Sequence, residues 1–434
     1  MLQTPREYAS LPEVTLSALK ETCWADSTIV VPKQRSYTGK KPVITSALAN
    51  TYCADLGVDG VLEKLNTGLG TSYKLSTTFE SDILQLSPVT TPLRLILEPY
   101  VARNDDFGTA YAHLRPQWYD CTTVQRCNET MDLEMRRNAV VNDTMVKAYT
   151  PPRRLWDLYA NRVVPWWVVD NDSLGISHAW VDDKDLNGEM TPINGYEWPV
   201  PMPRDADLNL IRIEMLNLGA EYIWLDVLCL RQKGGQGEHL RAEEWKLDVP
   251  TIGWIYFGHY VVYYLSGLGR PLSFKPGDFE SNRCWFRWVW TLQEFSMDVF
   301  LSDESSGLEL SHQETIGGQT EDHGIMAEEE RRRLNEELRS LMQMRKAHSL
   351  WDTLSLMQRR VSTNPVDKIG GMMFPLRTEY SPIYDEKQSE EDAWIAFTNA
   401  MDRFLLSHLF FDFPEAGNGS KYWRPSWKQG SSNR

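Results

Sequence analysis

The chain has few features of metal-binding, secreted or membrane-spanning proteins. None of its six cysteines stands in a Cys-x-x-Cys pair or beside matching histidines, which argues against a structural zinc site and is typical of reduced cytosolic thiols. No basic segment followed by an apolar block opens the chain, so no signal peptide is predicted. The most apolar stretch, residues 254–265, is too short to span a bilayer. We therefore expect a cytoplasmic protein with no metal site and no membrane partner.

Positive charge is also scarce. The 45 lysines and arginines are outnumbered by 60 aspartates and glutamates, which gives a formal net charge of -15. A protein that binds the phosphate backbone needs clustered basic residues, so no nucleic-acid partner is expected. The sequence also contains no Walker-type loop, no Gly-x-Gly-x-x-Gly after a strand, no Gly-x-Ser-x-Gly and no His-Glu-x-x-His. These motif classes are therefore not indicated.

Changes of pattern along the chain divide it into three predicted regions. The first carries weak signals, with a Ser-, Thr- and Gly-rich stretch at 66–82 that indicates a loop and a helical pattern at 92–120. The pair Pro151-Pro152 marks the boundary to an α/β region, and a charged helix predicted over 326–346 belongs to a mainly helical extension. The predicted regions are 1–150, 151–302 and 303–434.

Strand and helix patterns alternate in the middle region. Runs of β-branched and aromatic residues predict strands, and apolar residues spaced three and four apart predict helices between them. The predicted strands are residues 175–183, 221–228, 260–265 and 297–303. The predicted helices are residues 205–220, 239–258 with a break at Pro250, and 283–295. This alternation favours an α/β fold of the flavodoxin-like kind, with a mainly parallel sheet flanked by helices.

Asp226 is unusual because apolar and aromatic residues surround it in the stretch YIWLDVLCLRQ, residues 222–232. A strand interior is a costly place for an unpaired charge. Asp226 either accepts backbone N–H bonds at a strand end or lies at the carboxyl edge of the sheet, where open α/β sheets bind ligands. We predict that it ends the second parallel strand, next to the end of the first strand near 180–182. Cys229, close by, is expected to be an inert packed thiol.

Five motifs together resemble the fungal heterokaryon-incompatibility (HET) domain, and they occur in the family's order. They are SHAW at 177–180, YIWLDVLCLRQ at 222–232, RWVWTLQE at 287–294, RRVSTNPVDKIGGMMFPL at 359–376 and RPSW at 424–427. The likeness covers roughly residues 165–427, and the lead-in at 151–167 is similar to that of mushroom-type members. Val181 stands where the family usually has glycine, and Leu230-Arg231 stands where it often has Ile-Asn.

The resemblance implies a part in self/non-self recognition between fungal strains and in the cell death that follows. The HET domain is itself distantly similar to the Toll/interleukin-1 receptor (TIR) domain, which implies a TIR-like fold. Several TIR domains cleave NAD with a glutamate on the third helix. In this alignment Trp290 meets the family's tryptophan and Glu294 falls on the catalytic glutamate. NAD is then the candidate substrate, no cofactor is required, and Glu294 is the candidate catalytic residue.

The nicotinamide–ribose bond already carries a cationic leaving group, so one carboxylate beside the ribose is enough to stabilise the developing positive charge. The candidate ligand-binding residues are Ser177, His178, Trp180, Asp226, Gln232 and Trp290. Ser177 and His178 are adjacent on a strand and point to opposite faces, so they do not form a nucleophile–base pair.

Simpler structural interpretations of the same residues stay open. Glu294 would be a helix-end carboxylate paired with an arginine, His178 a satisfied buried histidine, and Trp285, Trp288 and Trp290 parts of the core. The alternative function is a non-catalytic signalling module that works by self-association. Its partner would be a second copy of the chain or another signalling protein.

Overall fold

The computed structural model spans the 434-residue chain, and part of that chain is described here. The described residues are 11–18, 36–81, 89–119, 129–169, 172–257, 259–270, 272, 274–295, 299–301, 328–347, 349–413, 415–419 and 421–430.

Short strands and helices alternate along the described chain. The strands are β1 Val14–Ser17, β2 Ser36–Gly39, β3 Thr78–Ser81, β4 Val89–Pro92, β5 Val140–Val141, β6 Met145–Lys147, β7 Arg154–Asp157, β8 Arg162–Pro165, β9 Ser173–His178, β10 Leu186–Glu189, β11 Val200–Pro203, β12 Tyr222–Trp224, β13 Val261–Tyr264, β14 Val299–Leu301 and β15 Tyr380–Pro382. The helices are α1 Ser46–Ala49, α2 Cys53–Leu69, α3 Leu93–Ala102, α4 Phe107–Leu114, α5 Glu129–Ala139, α6 Leu208–Asn217, α7 Asp226–Cys229, α8 Glu238–Asp248, α9 Gly253–Tyr256, α10 Thr291–Glu294, α11 Glu328–Ala347, α12 Leu350–Gln358, α13 Asp367–Gly370, α14 Glu390–Ala400, α15 Arg403–Phe411 and α16 Trp427–Gly430.

The central sheet has six strands in the order β14-β13-β9-β12-β7-β8. Strands β14, β13, β9 and β12 are parallel neighbours, whereas β7 pairs antiparallel with β12 and β8 antiparallel with β7. Every residue of β13 is buried, as expected of an inner parallel strand that is covered on both faces. The predicted combination of helices with a sheet is confirmed, but the sheet is mixed.

The antiparallel edge comes from a hairpin that the sequence patterns did not predict. Its turn is closed by Asp157, whose Oδ1 accepts the N–H groups of Tyr159 and Ala160 at 2.9 and 3.0 Å. Asn161 adopts a φ of 54°, which asparagine tolerates better than most residues. The resulting β7–β8 pair extends the sheet beyond β12.

Two predicted helices of the middle region are confirmed. Asp207 caps α6, with its carboxylate accepting the N–H of Asn209 at 2.7 Å. Gly219, just after that helix, has a φ of 90° and so suits its left-handed end. The predicted break at Pro250 separates α8 from α9.

The continuous helix predicted over 283–295 is wrong. The segment forms a 3-10 turn at Trp285–Arg287 and then the four-residue helix α10. Between them the backbone of Trp288 is extended and forms a parallel bridge with Val361. Val361 donates its N–H to the carbonyl of Arg287 at 2.6 Å, so a distant segment replaces the hydrogen bonds that a helix would have made.

Strand ends were also predicted too far along the chain. The predicted strand 175–183 stops at His178, and the predicted strand 221–228 stops at Trp224, after which Asp226 opens α7. Ala179, Val181, Leu225, Val227 and Leu228 stay buried beyond these strands, and burial alone does not distinguish a strand from the turn that follows it.

The N-terminal region folds as helices and hairpins around the same core. The helical pattern at 92–120 is two helices, α3 and α4, with a left-handed Asn104 between them. The predicted loop at 66–82 includes the end of α2 and the strand β3. One hydrophobic cluster extends from Leu65 and Phe107 through Val262 of the central sheet to Trp394 of the C-terminal helices.

The C-terminal region is mainly helical in its described part, as predicted. Helix α11 matches the charged helix expected over 326–346, and the four helices α12 to α15 follow it before the short α16. Ser349 caps α12 by accepting the N–H of Asp352 at 3.2 Å.

Candidate functional site

Polar side chains collect where the parallel strands β9 and β12 end. Ser177 and His178 are the last two residues of β9, and Asp226 follows β12 after one intervening residue. Parallel pairing of these strands brings their carboxyl ends to one edge of the sheet. The predicted position of Asp226 is therefore confirmed, and the edge is the one where open α/β sheets bind ligands.

Asp226 is the centre of a hydrogen-bonded cluster. Its Oδ1 lies 2.8 Å from Nε2 of His178 and accepts the backbone N–H of Val227 at 2.7 Å. Its Oδ2 accepts the indole N–H of Trp180, also at 2.7 Å. Both alternatives predicted for Asp226 therefore hold: it accepts a backbone N–H, and it lies at the carboxyl edge of the sheet.

The surroundings of His178 favour its protonated form. Its Nε2 faces the Asp226 carboxylate, and its Nδ1 lies 3.1 Å from the carbonyl oxygen of Ala179, so both ring nitrogens meet acceptors. Burial alone would lower the pKa of His178, but the charge and hydrogen bond of Asp226 raise it above its usual value. Burial likewise works against the charge of Asp226, whose pKa is nevertheless lowered, chiefly by His178.

Glu294 lies beside Ser177 at the end of the short helix α10. The Ser177 hydroxyl donates to Oε2 of Glu294 at 2.5 Å and accepts the indole N–H of Trp285 at 2.6 Å. The hydroxyl of Tyr263 donates to the backbone carbonyl of Glu294 at 3.0 Å, which anchors the end of the helix to strand β13.

The carboxyl group of Glu294 makes no ion pair in the described part of the chain, so the interpretation as an arginine-paired glutamate fails there. Burial raises its pKa to about 8, and the negative charge of Asp226 adds to the rise. The hydrogen bond from Ser177 and the charges of His178 and Arg360 oppose it. Near neutral pH Glu294 is therefore mainly a neutral acid.

Arg360 is close enough to act electrostatically on Glu294 but is bound elsewhere. Its guanidinium donates to the carbonyl of Trp288 at 2.8 Å and to the hydroxyl of Thr291. Burial lowers the pKa of Arg360 to about 10. Arg360 therefore holds the turn in front of α10 and leaves the Glu294 carboxyl to Ser177.

Two other predicted ligand-binding residues have different surroundings. Gln232 donates to the carbonyl oxygens of Leu230 at 2.9 Å and Asp226 at 3.4 Å, so it supports the chain around the cluster. Trp290 points away from the cluster: it lines a cavity of about 20 Å³ beside Gly370 and packs against Tyr384, with ring centroids 6.0 Å apart. The structure thus brings together all the predicted site residues except Trp290.

Trp285 and Tyr263 are site residues that sequence reasoning missed. Both are buried and were indistinguishable from core aromatics in the sequence, where a place in the core was one interpretation left open for Trp285. Their polar atoms reveal the role, because a buried indole N–H or hydroxyl needs a partner. Cys229 is buried with its thiol pKa raised to about 12, as expected of an inert cysteine.

The described residues show neither a metal-binding group nor a membrane-spanning helix. Within the described residues, no group of three or more His, Cys, Asp or Glu side chains is placed to hold a metal ion. The described helices include none that is both long and apolar enough to cross a membrane. No known family, no curated protein and no solved structure matches the chain.

Proposed function

We propose that the protein is a cytoplasmic effector of fungal self/non-self recognition, with a HET-like and TIR-like domain, that hydrolyses NAD with Glu294 as its catalytic carboxylate. One observation carries the catalytic part of the proposal. Glu294 is a buried acid, 9% exposed, without a cationic partner among the described residues, at the ligand-binding edge of an α/β sheet. The five sequence motifs support the biological part.

Such an acid suits a cationic substrate. When the bond between nicotinamide and ribose breaks, its electron pair goes to the nicotinamide nitrogen and a positive charge develops on the ribose. A carboxylate beside the ribose stabilises that charge, and water then attacks and releases a proton. The positive nicotinamide ring of bound NAD also favours the ionised form of Glu294, which burial disfavours in the free protein.

The His178–Asp226 pair contributes to the same edge without competing for the substrate cation. A protonated histidine and an ionised aspartate together carry no net charge, and both side chains are held by hydrogen bonds. Trp180, half-buried beside them, is stacked on His178 with ring centroids 6.3 Å apart. We assign its free ring surface to contact with a flat substrate group.

The test is NAD turnover by the purified, concentrated protein, measured as nicotinamide release. Glu294→Gln keeps the size of the side chain and removes the charge, so turnover should fall at least about a hundredfold. Glu336→Gln, an exposed change on α11, is the matched control and should leave turnover unchanged. Melting curves establish that both variants fold.

Either of two results contradicts catalysis by Glu294. One is no turnover by the unmodified protein at concentrations that favour oligomers. The other is a folded Glu294→Gln variant that keeps full activity. Cell death on expression in a fungal host then reports the biological role separately.

Self-association of a non-catalytic module is the alternative proposal, and the exposed aromatic side of helix α15 favours it. Phe404 is 63% exposed and Phe411 is 78% exposed. Their spacing of seven residues places both on the same side of that helix. Phe404→Ser with Phe411→Ser should then lower the mass measured by sedimentation and abolish cell death, whereas Glu294→Gln would leave both unchanged.

A further inference from the structure

Ser177 is a polar residue near the end of β9, which is an inner strand of the central sheet. Its side chain is fully buried, and its backbone is paired in register with Tyr263 of β13. A buried hydroxyl is costly unless it is hydrogen-bonded. The strands on both sides of β9 fix the backbone position of Ser177. The location of Ser177 Oγ is therefore set by the sheet and not by a mobile loop.

The two partners of Ser177 determine where its proton points. An indole N–H can only donate, so Trp285 occupies one lone pair of Ser177 Oγ. The hydroxyl has a single proton, and among the described residues its acceptor is Oε2 of Glu294. Trp285 and Ser177 thus form a directed chain in which each N–H or O–H points towards the carboxyl group.

That direction makes the two oxygens of Glu294 unequal. Oε2 already accepts the Ser177 proton, so the acid proton of neutral Glu294 belongs on Oε1. No donor in the described chain is bonded to Oε1, whereas Oε2 is held by Ser177. Oε1 is therefore the oxygen whose hydrogen bonds remain to be made by a ligand.

We propose that Ser177, oriented by Trp285, is a positioning residue that holds Glu294 by Oε2 and leaves Oε1 to exchange its proton and meet the substrate cation. The contact between Oε1 and a substrate cation rests on the proposed NAD hydrolysis. The positioning of Glu294 by Ser177 does not depend on it. The other titratable groups around Glu294 are His178, Asp226, Arg360, Tyr256 and Tyr263, and none of them is changed in the Ser177 variants.

A purely structural serine and a positioning serine differ in one measurable respect. Both would lower stability when replaced by alanine, because Trp285 and Glu294 lose a partner. Only a serine that donates to the ionised carboxylate also changes the acidity of Glu294, since its bond favours the charged form.

The experiment is an infrared titration of the carboxyl C=O stretch in the full chain. Each spectrum is subtracted from that of the same protein carrying Glu294→Gln, which isolates Glu294. The midpoint should lie near pH 8 in the unmodified protein. In Ser177→Ala it should move up by about one to two pH units, the usual worth of a hydrogen bond to a charged group.

Ser177→Thr keeps the hydroxyl and should return the midpoint to that of the unmodified protein. If Ser177→Ala does not fold, Ser177→Cys gives the same test with a weaker donor and a smaller upward shift. An unchanged or lower midpoint in a folded variant that lacks the hydroxyl overturns the proposal.

NAD turnover separates this proposal from the proposed function. If the protein cleaves NAD, the pH at which turnover reaches half its maximum should rise in Ser177→Ala together with the infrared midpoint. If it does not cleave NAD but the midpoint still shifts, the positioning of Glu294 stands and the NAD hydrolase does not.

Discussion

The arginine cluster around Glu244 and the site around Glu294 both bury carboxyl groups, but they treat the charge in opposite ways. Glu244 accepts two bonds from Arg154 at 2.9 and 3.0 Å and one from Arg231 at 3.1 Å. Burial would raise the pKa of Glu244, yet these arginines and Arg153 hold it below its usual value. Glu294 has a serine in place of arginines, and its pKa rises to about 8.

The difference distinguishes a carboxylate that stabilises the fold through ion pairs from one that can still bind a ligand. Around Glu244 the opposite charges satisfy one another, and Arg154 and Arg231 also stack on Trp198 at 5.3 and 5.2 Å from its ring centroid. Such a cluster has little left to offer a ligand. Ser177 holds Glu294 in place, but no cation in the described part of the chain is paired with its carboxyl group. A cationic ligand that enters the site would therefore make the ion pair that the protein itself does not make.

The largest expected difference is in how stability depends on pH when Glu294 is changed to glutamine. The pKa of Glu294 is about 8 in the folded state against 4.5 for an ordinary glutamate. The folded protein keeps this proton longer, so it loses stability as pH rises from 4.5 to 8. At about 1.4 kcal/mol per pH unit the loss is at most about 5 kcal/mol, and Glu294→Gln should escape it.

Urea unfolding of both proteins at pH 5 and pH 9 measures that loss. Relative to the unmodified protein, the Glu294→Gln variant should have a higher free energy of unfolding at pH 9 than at pH 5. A stability difference that is the same at both pH values would show that Glu294 is balanced by a cation, as Glu244 is.

Asp226→Asn should cost about 3 kcal/mol at pH 6, because it leaves the charged ring of His178 buried without its partner. The pKa of folded His178 lies above 6.5. The ion pair therefore contributes fully below pH 6.5 and is lost as pH rises through the folded pKa, so the cost should shrink as the pH rises.

Trp180→Phe is the control for Asp226→Asn, because it removes one hydrogen bond to the same carboxylate without removing a charge and should cost about 2 kcal/mol. Chemical unfolding at the two pH values measures both changes. An equal cost of Asp226→Asn at pH 6 and pH 9 would mean that folded His178 keeps one protonation state across that range, against the prediction.

Glu244→Gln should cost about 2 kcal/mol, because Arg154 and Arg231 lose a charged acceptor but keep Glu197 nearby. Unlike Glu294→Gln, it should destabilise the protein at pH 9 as well as at pH 6. Glu336→Gln, which breaks an exposed pair with Arg332, should cost less than about 0.5 kcal/mol. If Glu244→Gln stabilised the protein at pH 9, the contrast between the two groups would fail.

Local patterns were enough to predict four segments that form strands of the central sheet and where Asp226 lies. A strand of buried residues that ends in an acid, with a helix on either side, leaves little choice about the edge of the sheet. The same patterns gave no sign of the β7–β8 hairpin, whose turn depends on the side chain of Asp157, nor of the break in the predicted third helix, which depends on Val361.

By itself the sequence determined the alternation of strands and helices, the charged helix α11 and the place of Asp226 at the end of its strand, because these follow from neighbours within a few turns of chain. Only the tertiary structure decided which site residues meet. Ser177 and Glu294 are 117 residues apart, and Ser177 and Trp285 are 108 apart. Burial at those contacts removes water from the Glu294 carboxyl group, and the acidity that results is a property of the folded surroundings that no short stretch of sequence carries.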